Sequence, residues 1–274
     1  MTAEDRDGMH GLLPEGHPDA VFLKGRTAVH DRARNRWLVA VDPLDPVVAF
    51  RDVPGAYTTV REVAGCDPRM TADGETVRIE GPFLIGAGVA LLAGDDLICL
   101  RRSGRASFDP GAWTTPAGRL DHAPLETAYR ELYEELLVTD DGEPAFVAPD
   151  PGAGAEETLR AVYAETVANA GLDPDPTAWD RLPTTVPDAY EPHLAAVETV
   201  AGDHVERASL LATFVEDANT LELRAVARTP DRPGLAFADG EGNRPVRRFS
   251  PTALRAASAD ELVPFLQYLR ETVY

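Results

Sequence analysis

The chain has 274 residues, 44% hydrophobic, 26% charged and 7% aromatic, which is enough to bury a core in one large domain or two small ones. With 26 Lys plus Arg against 46 Asp plus Glu, the formal net charge is −20. Repulsion therefore argues against binding nucleic acid or an anionic membrane through the general surface, and an anionic ligand needs a local arginine patch or a bound cation.

Lys24 is the only lysine, Gln267 the only glutamine, and isoleucine occurs only at Ile79, Ile85 and Ile98. GC-rich coding accounts for those shortages but not for the charge. Acidity with lysine depletion fits a salt-accumulating cytoplasm, where screening is strong. Cys66 and Cys99 cannot supply a disulfide framework, and no C-x-x-C or H-x-H spacing suggests structural zinc. Residues 1–14 lack the basic-then-apolar order of a signal peptide, and the longest apolar run, 83–93, is too short to span a bilayer. A soluble, cytoplasmic protein is expected.

In chain order, residues 1–20 are rich in Gly, Pro and charge and are expected to be loosely ordered. Strand patterns follow at 27–30, 36–41, 47–53, 57–63 and 75–79, the first two joined as a hairpin. Residues 83–92 and 97–101 read as strands around a Gly94-Asp95-Asp96 turn. An amphipathic helix is expected from Pro124 to about Val138, with Leu125, Ala128, Tyr129, Leu132 and Leu136 as its buried stripe. Residues 140–157 read as a loop, 157–170 as a second helix and 173–187 as loop again.

Strand patterns return at 209–215, 220–228, 235–238 and 246–249. In the second of these, Leu221, Leu223, Ala225 and Ala227 lie on one face, and Glu222, Arg224 and Arg228 on the other, as in a half-buried strand. A closing helix is expected to start at the capping-box spacing Ser258–Glu261 and to bury Leu262, Phe265, Leu266 and Leu269. The order of elements predicts an α/β or α+β sandwich.

On the helix after Pro124, Glu131, Glu134 and Glu135 share one arc, Arg130 lies beside Glu134, and Glu126 sits one turn before Arg130. Such carboxylates repel one another by about 0.2–0.5 kcal/mol per pair. They serve either as a solvated acidic face or as oxygen ligands for a hard cation such as Mg²⁺. Arg101, Arg102, Arg105 and Arg119 flank this region and either hold phosphates or balance scattered charge. Asp121-His122 offers a weaker acid–base pair; His193 and His204 have no ligand-spaced partners and read as surface residues. Gly86-x-Gly88 lacks the third glycine of a dinucleotide fingerprint.

The stretch Trp113-Thr114-Thr115-Pro116-Ala117-Gly118, followed by Arg130-Glu131-Leu132-Tyr133-Glu134-Glu135, resembles the Nudix hydrolase family, whose box is G-x5-E-x7-R-E-U-x-E-E-x-G-U, with U aliphatic. Gly118 matches the opening glycine, and Arg130, Glu131, Leu132, Glu134 and Glu135 match the second half. Between Gly118 and Arg130 the chain is two residues short of the family spacing. His122 falls where the first glutamate stands, with Asp121 and Glu126 the nearest carboxylates, and Leu137 replaces the closing glycine.

The resemblance implies a Nudix fold over residues 81–274, with a mixed sheet between helices and an insertion at about 140–207, preceded by a β-rich extension at 1–80. It implies hydrolysis of a pyrophosphate bond in a nucleoside diphosphate derivative. Glu131, Glu134 and Glu135 would hold Mg²⁺ or Mn²⁺, Glu134 or Glu135 would take a proton from water, and Arg130 would orient the carboxylates. Gly118, Arg101 and Arg119 would meet the substrate. The partner is then a small nucleotide, and a homodimer is left open. A Nudix-like module that binds a nucleotide or a protein partner without cleaving it is the alternative.

If the charge of −20 is a salt adaptation, self-repulsion destabilises the fold where screening is weak. The melting temperature is then expected to rise steeply from about 0.1 M to 1 M KCl. A flat profile over that range would leave coding bias as the only explanation.

Overall fold

The structure is a computed structural model that describes residues 21–24, 27–31, 36–40, 46–51, 69–73, 76–80, 84–106, 109–120, 122–147, 156–201, 204–215, 220–229, 233–238 and 245–274. The expectations for residues 1–20 and for a strand at 57–63 lie outside these residues. The chain divides into two compact units, one of Met1–Gly86 with Glu191–Leu223 and one of Ala87–Tyr190 with Arg224–Tyr274.

The described residues of the first unit are mostly strands. β1 (Val21–Lys24), β6 (Thr76–Glu80) and β5 (Arg69–Asp73) form a sheet in the order β1-β6-β5. β2 (Thr27–Asp31) and β3 (Arg36–Ala40) form the expected antiparallel hairpin, with Thr27 opposite Ala40. β15 (His204–Val215) pairs with β3 and with β14 (Ala195–Ala201), and β14 runs parallel to β4 (Pro46–Arg51). Part of the supposed insertion completes the N-terminal strands, because backbone groups of β3 and β4 find their ladder partners in β15 and β14.

In the second unit, β7 (Leu84–Ala93) and β8 (Asp96–Arg101) are antiparallel, with Leu92 opposite Leu97. Gly94, at φ +63°, takes the left-handed position of their two-residue connection. β18 (Val246–Phe249) pairs with the far side of β8, and β9 (Trp113–Thr114) adds to β8 as well. β10 (Ala117–Arg119) pairs with β7, which also adjoins β16 (Thr220–Thr229). A second, mixed sheet has the order β13-β12-β11-β17, from β13 (Asp180–Leu182), β12 (Glu143–Val147), β11 (Leu136–Asp140) and β17 (Gly234–Phe237).

Four α-helices are described: α1 (Pro124–Glu135), α2 (Glu156–Asn169), α3 (Pro251–Ala256) and α4 (Pro264–Thr272). α1 is shorter than its hydrophobic pattern suggests. Leu136–Asp140 leaves the helix to pair with β17, Leu136 opposite Phe237, and the Ala238 N–H donates to the Glu135 carbonyl. The segment read as loop after it holds β12, which turns back on β11 through Asp141 and Gly142, both at positive φ. The capping box at Ser258 opens only a short 3-10 turn, Ala259–Glu261. Its serine hydroxyl bonds the Asp260 carboxylate instead of capping, and α4 begins at Pro264.

The wheel of α1 is also turned from expectation. Leu125 is half-exposed, whereas Tyr133 is fully buried and stacks on Phe146 of β12 and Tyr163 of α2 with centroids 4.9 and 4.7 Å apart. α2 causes the turn. Its Tyr163 hydroxyl donates to the Val138 carbonyl at 2.6 Å and accepts from the Val138 N–H at 2.9 Å, and its Thr166 hydroxyl donates to the Tyr133 carbonyl at 2.7 Å. The Tyr133 hydroxyl in turn donates to the Val147 carbonyl. These bonds satisfy polar groups that burial strips of water.

Burial pushes the phenols of Tyr133, Tyr163 and Tyr190 upward and that of Tyr274 up to about 12. An acid whose pKa is raised by folding contributes stability that is fully present below its unfolded value, near 10, and is lost as pH climbs toward the folded one. Unfolding free energy is therefore expected to fall steadily above about pH 10. Ultraviolet titration should show these tyrosines ionising together with unfolding. Ionisation of every tyrosine near pH 10 with the fold intact would contradict this packing.

Candidate active site

The candidate site lies in the second unit, where α1 meets β10. The backbone at 116–118 is pressed between two elements. On one side the Val89 N–H donates to the Pro116 carbonyl at 3.0 Å, and a Cβ at Gly88 would strike that same oxygen. On the other side a Cβ at Gly118 would strike the Glu131 carboxylate. Both glycines are thus needed for close approach rather than for turning.

Two carboxylates of α1 come to rest on this strand. Glu131 lies against Gly118, and Glu135 Oε2, one turn on, accepts the Ala117 N–H at 3.1 Å. Glu134 is exposed and makes no such contact. The helix face read from sequence is therefore divided: positions 131 and 135 meet at β10, while 134 faces solvent. Arg130 pairs with Glu126 at 3.6 Å, each about a quarter exposed, and not with the glutamates it was expected to orient.

A cavity of about 830 Å³ opens beside Glu135. Arg101, Arg102 and Arg105 line it together with Leu100, Thr114 and Ala117. The Arg102 N–H is fixed to the Ala112 carbonyl at 2.9 Å, which sets the loop carrying these arginines against β9. Arg119 is exposed at the end of β10 and is not among the lining residues. His122 is half-exposed, its N–H donating to the Thr127 hydroxyl at 3.0 Å, and Asp121 lies outside the described residues. His193 is in the N-terminal unit, where partial burial lowers its pKa, and nothing is described of the His204 side chain.

The sequence gives no warning of Arg224. Alternation puts it on the exposed face of β16, yet it is 3% exposed. Its Nε donates to the Thr115 hydroxyl at 3.2 Å, and its guanidinium lies 5.1 Å from the Phe265 ring centroid. It thereby braces Thr115, just before the 116–118 segment. The only local signal is the apolar Val226 two residues on, which already breaks the alternation.

Among the described residues, no three of His, Cys, Asp and Glu stand close enough to form an all-protein metal cage. The donors that do converge, Glu131 and Glu135, are hard oxygens. Mg²⁺ is commonly held by one or two carboxylates with waters and substrate phosphates completing the shell, so this donor set fits it.

The crowding at Gly118 can be measured. Gly118→Ala is expected to displace the Glu131 carboxylate and to lower unfolding free energy by about 1–3 kcal/mol. In a Glu131→Ala background the same change should cost almost nothing, because the colliding atoms are gone. Equal costs in the two backgrounds, read from denaturant unfolding, would show that the two residues do not touch.

Among solved structures, the chain is similar to a bifunctional NMN adenylyltransferase/ADP ribose pyrophosphatase from Francisella tularensis, crystallised with AMP and a Mn ion, at 14% identity and a TM-score of 0.34. The match covers 70% of this chain but only 42% of that one, so the chain spans less than half its length. It is similar to a MutT NUDIX hydrolase from Burkholderia pseudomallei, at 13% identity and a TM-score of 0.35, over 70% of this chain and 98% of that one. A NUDIX-family hydrolase from Clostridium perfringens follows at 12% identity and a TM-score of 0.32, over 69% and 95%. No curated protein matches the chain. The family model of the NUDIX domain matches residues 82–180, the stretch that holds the arginines, β10 and the glutamates of α1.

Proposed function

We propose that the chain hydrolyses a pyrophosphate bond in a nucleoside diphosphate derivative and that this requires Mg²⁺ or Mn²⁺. The observation that carries the reading is the convergence of Glu131 and Glu135 on the Ala117–Gly118 backbone, at a cavity lined by three arginines. The match to the NUDIX-domain model supports pyrophosphohydrolase chemistry, since the matched stretch contains all of these residues.

Each part of the site has a distinct task. In a chain of net charge −20, Arg101, Arg102 and Arg105 supply the local positive field that draws phosphates into the cavity. Glu131 and Glu135 would hold the cation, which when bound neutralises phosphate charge and makes water a better nucleophile. The Ala117 N–H holds Glu135 Oε2 and so orients this carboxylate at β10. Glu134, exposed beside Glu135, is the carboxylate left to accept a proton from water and pass it to solvent. Arg130, tied to Glu126, stiffens the helix face instead of touching substrate. No helix among the described residues is long and apolar enough to cross a membrane.

Glu135→Gln preserves an acceptor for the Ala117 N–H, so the fold should survive. Turnover of the best substrate is expected to fall by about 10²-fold or more, because the cation's share of transition-state stabilisation is several kcal/mol. Glu131→Gln and Glu135→Gln should also weaken Mg²⁺ binding in calorimetry, whereas Glu134→Gln should lower turnover and leave binding nearly intact. Ion and nucleotide binding without turnover on any diphosphate derivative would make the chain a binding module. Full turnover in Glu135→Gln would place the chemistry elsewhere.

A further inference from the structure

Beside the cavity, Arg101 is joined by a second cation, Arg247, that the proposed reaction leaves unexplained. Leu100 stands opposite Thr114, and both line the cavity. The next pair, Arg101 opposite Trp113, is therefore directed to the other face, although Arg101, at the end of β8, also borders the cavity. On that face β18 places Arg247 opposite Cys99, one diagonal step from Arg101. The Arg101 guanidinium lies 5.2 Å from the Trp113 ring centroid, and that of Arg247 lies 5.7 Å from it and 4.2 Å from Phe249. The two rings meet edge to face at 5.7 Å. Both arginines are exposed, whereas Trp113 is 6% exposed.

Every polar group of this cluster is a donor. Neither guanidinium has an ion pair or side-chain hydrogen bond among the described residues, although the chain holds 46 carboxylates to 26 cations. The indole Nε1–H of Trp113 is likewise buried without an acceptor. Like charges on neighbouring strands disfavour each other, and a buried donor without a partner costs about 1–3 kcal/mol.

We propose that Arg101 and Arg247, held on the rings of Trp113 and Phe249, form a binding site for a phosphate-bearing anion. Stacking on aromatic rings fixes the guanidinium planes and leaves their N–H edges outward, the geometry in which arginine grips phosphate with paired hydrogen bonds. The site shares Arg101 with the cavity of the proposed function and extends its phosphate-binding surface to Arg247, but it does not require hydrolysis, because neither Glu131 nor Glu135 takes part in it.

The test is a titration of the full chain with inorganic phosphate at about 0.1 M KCl, where screening is modest, followed by the indole N–H resonances in a ¹H–¹⁵N spectrum. The chain has three tryptophans. The Trp113 signal is the one lost in Trp113→Phe or, should that variant not fold, the one retained in both Trp37→Phe and Trp179→Phe. A saturable shift of this signal is expected in the native chain and in Glu135→Gln. Arg247→Gln should weaken it by about tenfold or more, corresponding to about 1.4 kcal/mol, and Arg247→Lys by less. A nucleoside monophosphate run alongside identifies the source: tighter binding than phosphate points to a nucleotide, equal binding to free phosphate. No shift, an equal shift with chloride at matched ionic strength, or a shift unchanged in Arg247→Gln would overturn the site.

Discussion

The contact between α1 and β10 sets the terms for the second unit. A helix bearing glutamates can lie this close to a strand only where the strand has no side chain in the way, and Gly118 provides that gap for the Glu131 carboxylate. Glu135 then reaches the Ala117 N–H one turn later. Gly88 allows the same strand segment to press against β7 from the other side. The site is thus a three-layer stack of strand, strand and helix with two glycines at its tightest points, and substitution at either one moves charge as well as backbone.

The stack is held from a distance by groups that do no chemistry. The rings of Tyr133, Phe146, Tyr163 and Trp179 pack in sequence between α1, β12 and α2. The hydroxyls of Tyr133, Tyr163 and Thr166 bond backbone groups of neighbouring elements. These contacts fix the roll of α1, which decides whether positions 131 and 135 or position 134 meet β10. On the opposite side Arg224 braces Thr115 from within the core. A buried cation is costly unless its donors are occupied, and the Thr115 hydroxyl is one acceptor that Arg224 uses.

Much of this order can be read from local pattern. The hairpin at Gly94 declares itself because one residue needs positive φ and the flanking residues alternate correctly. α2 and β18 end within a residue of their expected limits. The paired glutamates follow from helical spacing alone. What stays hidden depends on partners remote in sequence. The run Leu136–Asp140 fits a helix or a strand equally well, and only pairing with Gly234–Phe237 decides it. β12 is masked by Pro144 and its acidic flanks, yet β11 on one edge and β13 on the other stabilise it. The roll of α1, the burial of Arg224 and the meeting of Arg101 with Arg247 all need a register or a packed neighbour that no window of sequence contains.

The early end of α1 has an electrostatic consequence. The last four carbonyls of a helix lack intrahelical partners and carry the negative end of its dipole, which cationic side chains usually offset. The last turn of α1 has no basic residue, and its carboxylates add to that dipole instead. Strand pairing relieves one of these carbonyls, since Glu135 accepts from the Ala238 N–H, but hydrogen bonding does not cancel the field. The end of α1 is therefore a sink of negative potential, shallower whenever positive charge settles there. A cation bound at Glu131 and Glu135 would tighten the helix-to-strand junction on which β11 and β17 depend, so occupancy of the site and cohesion of the second sheet become linked through one helix terminus.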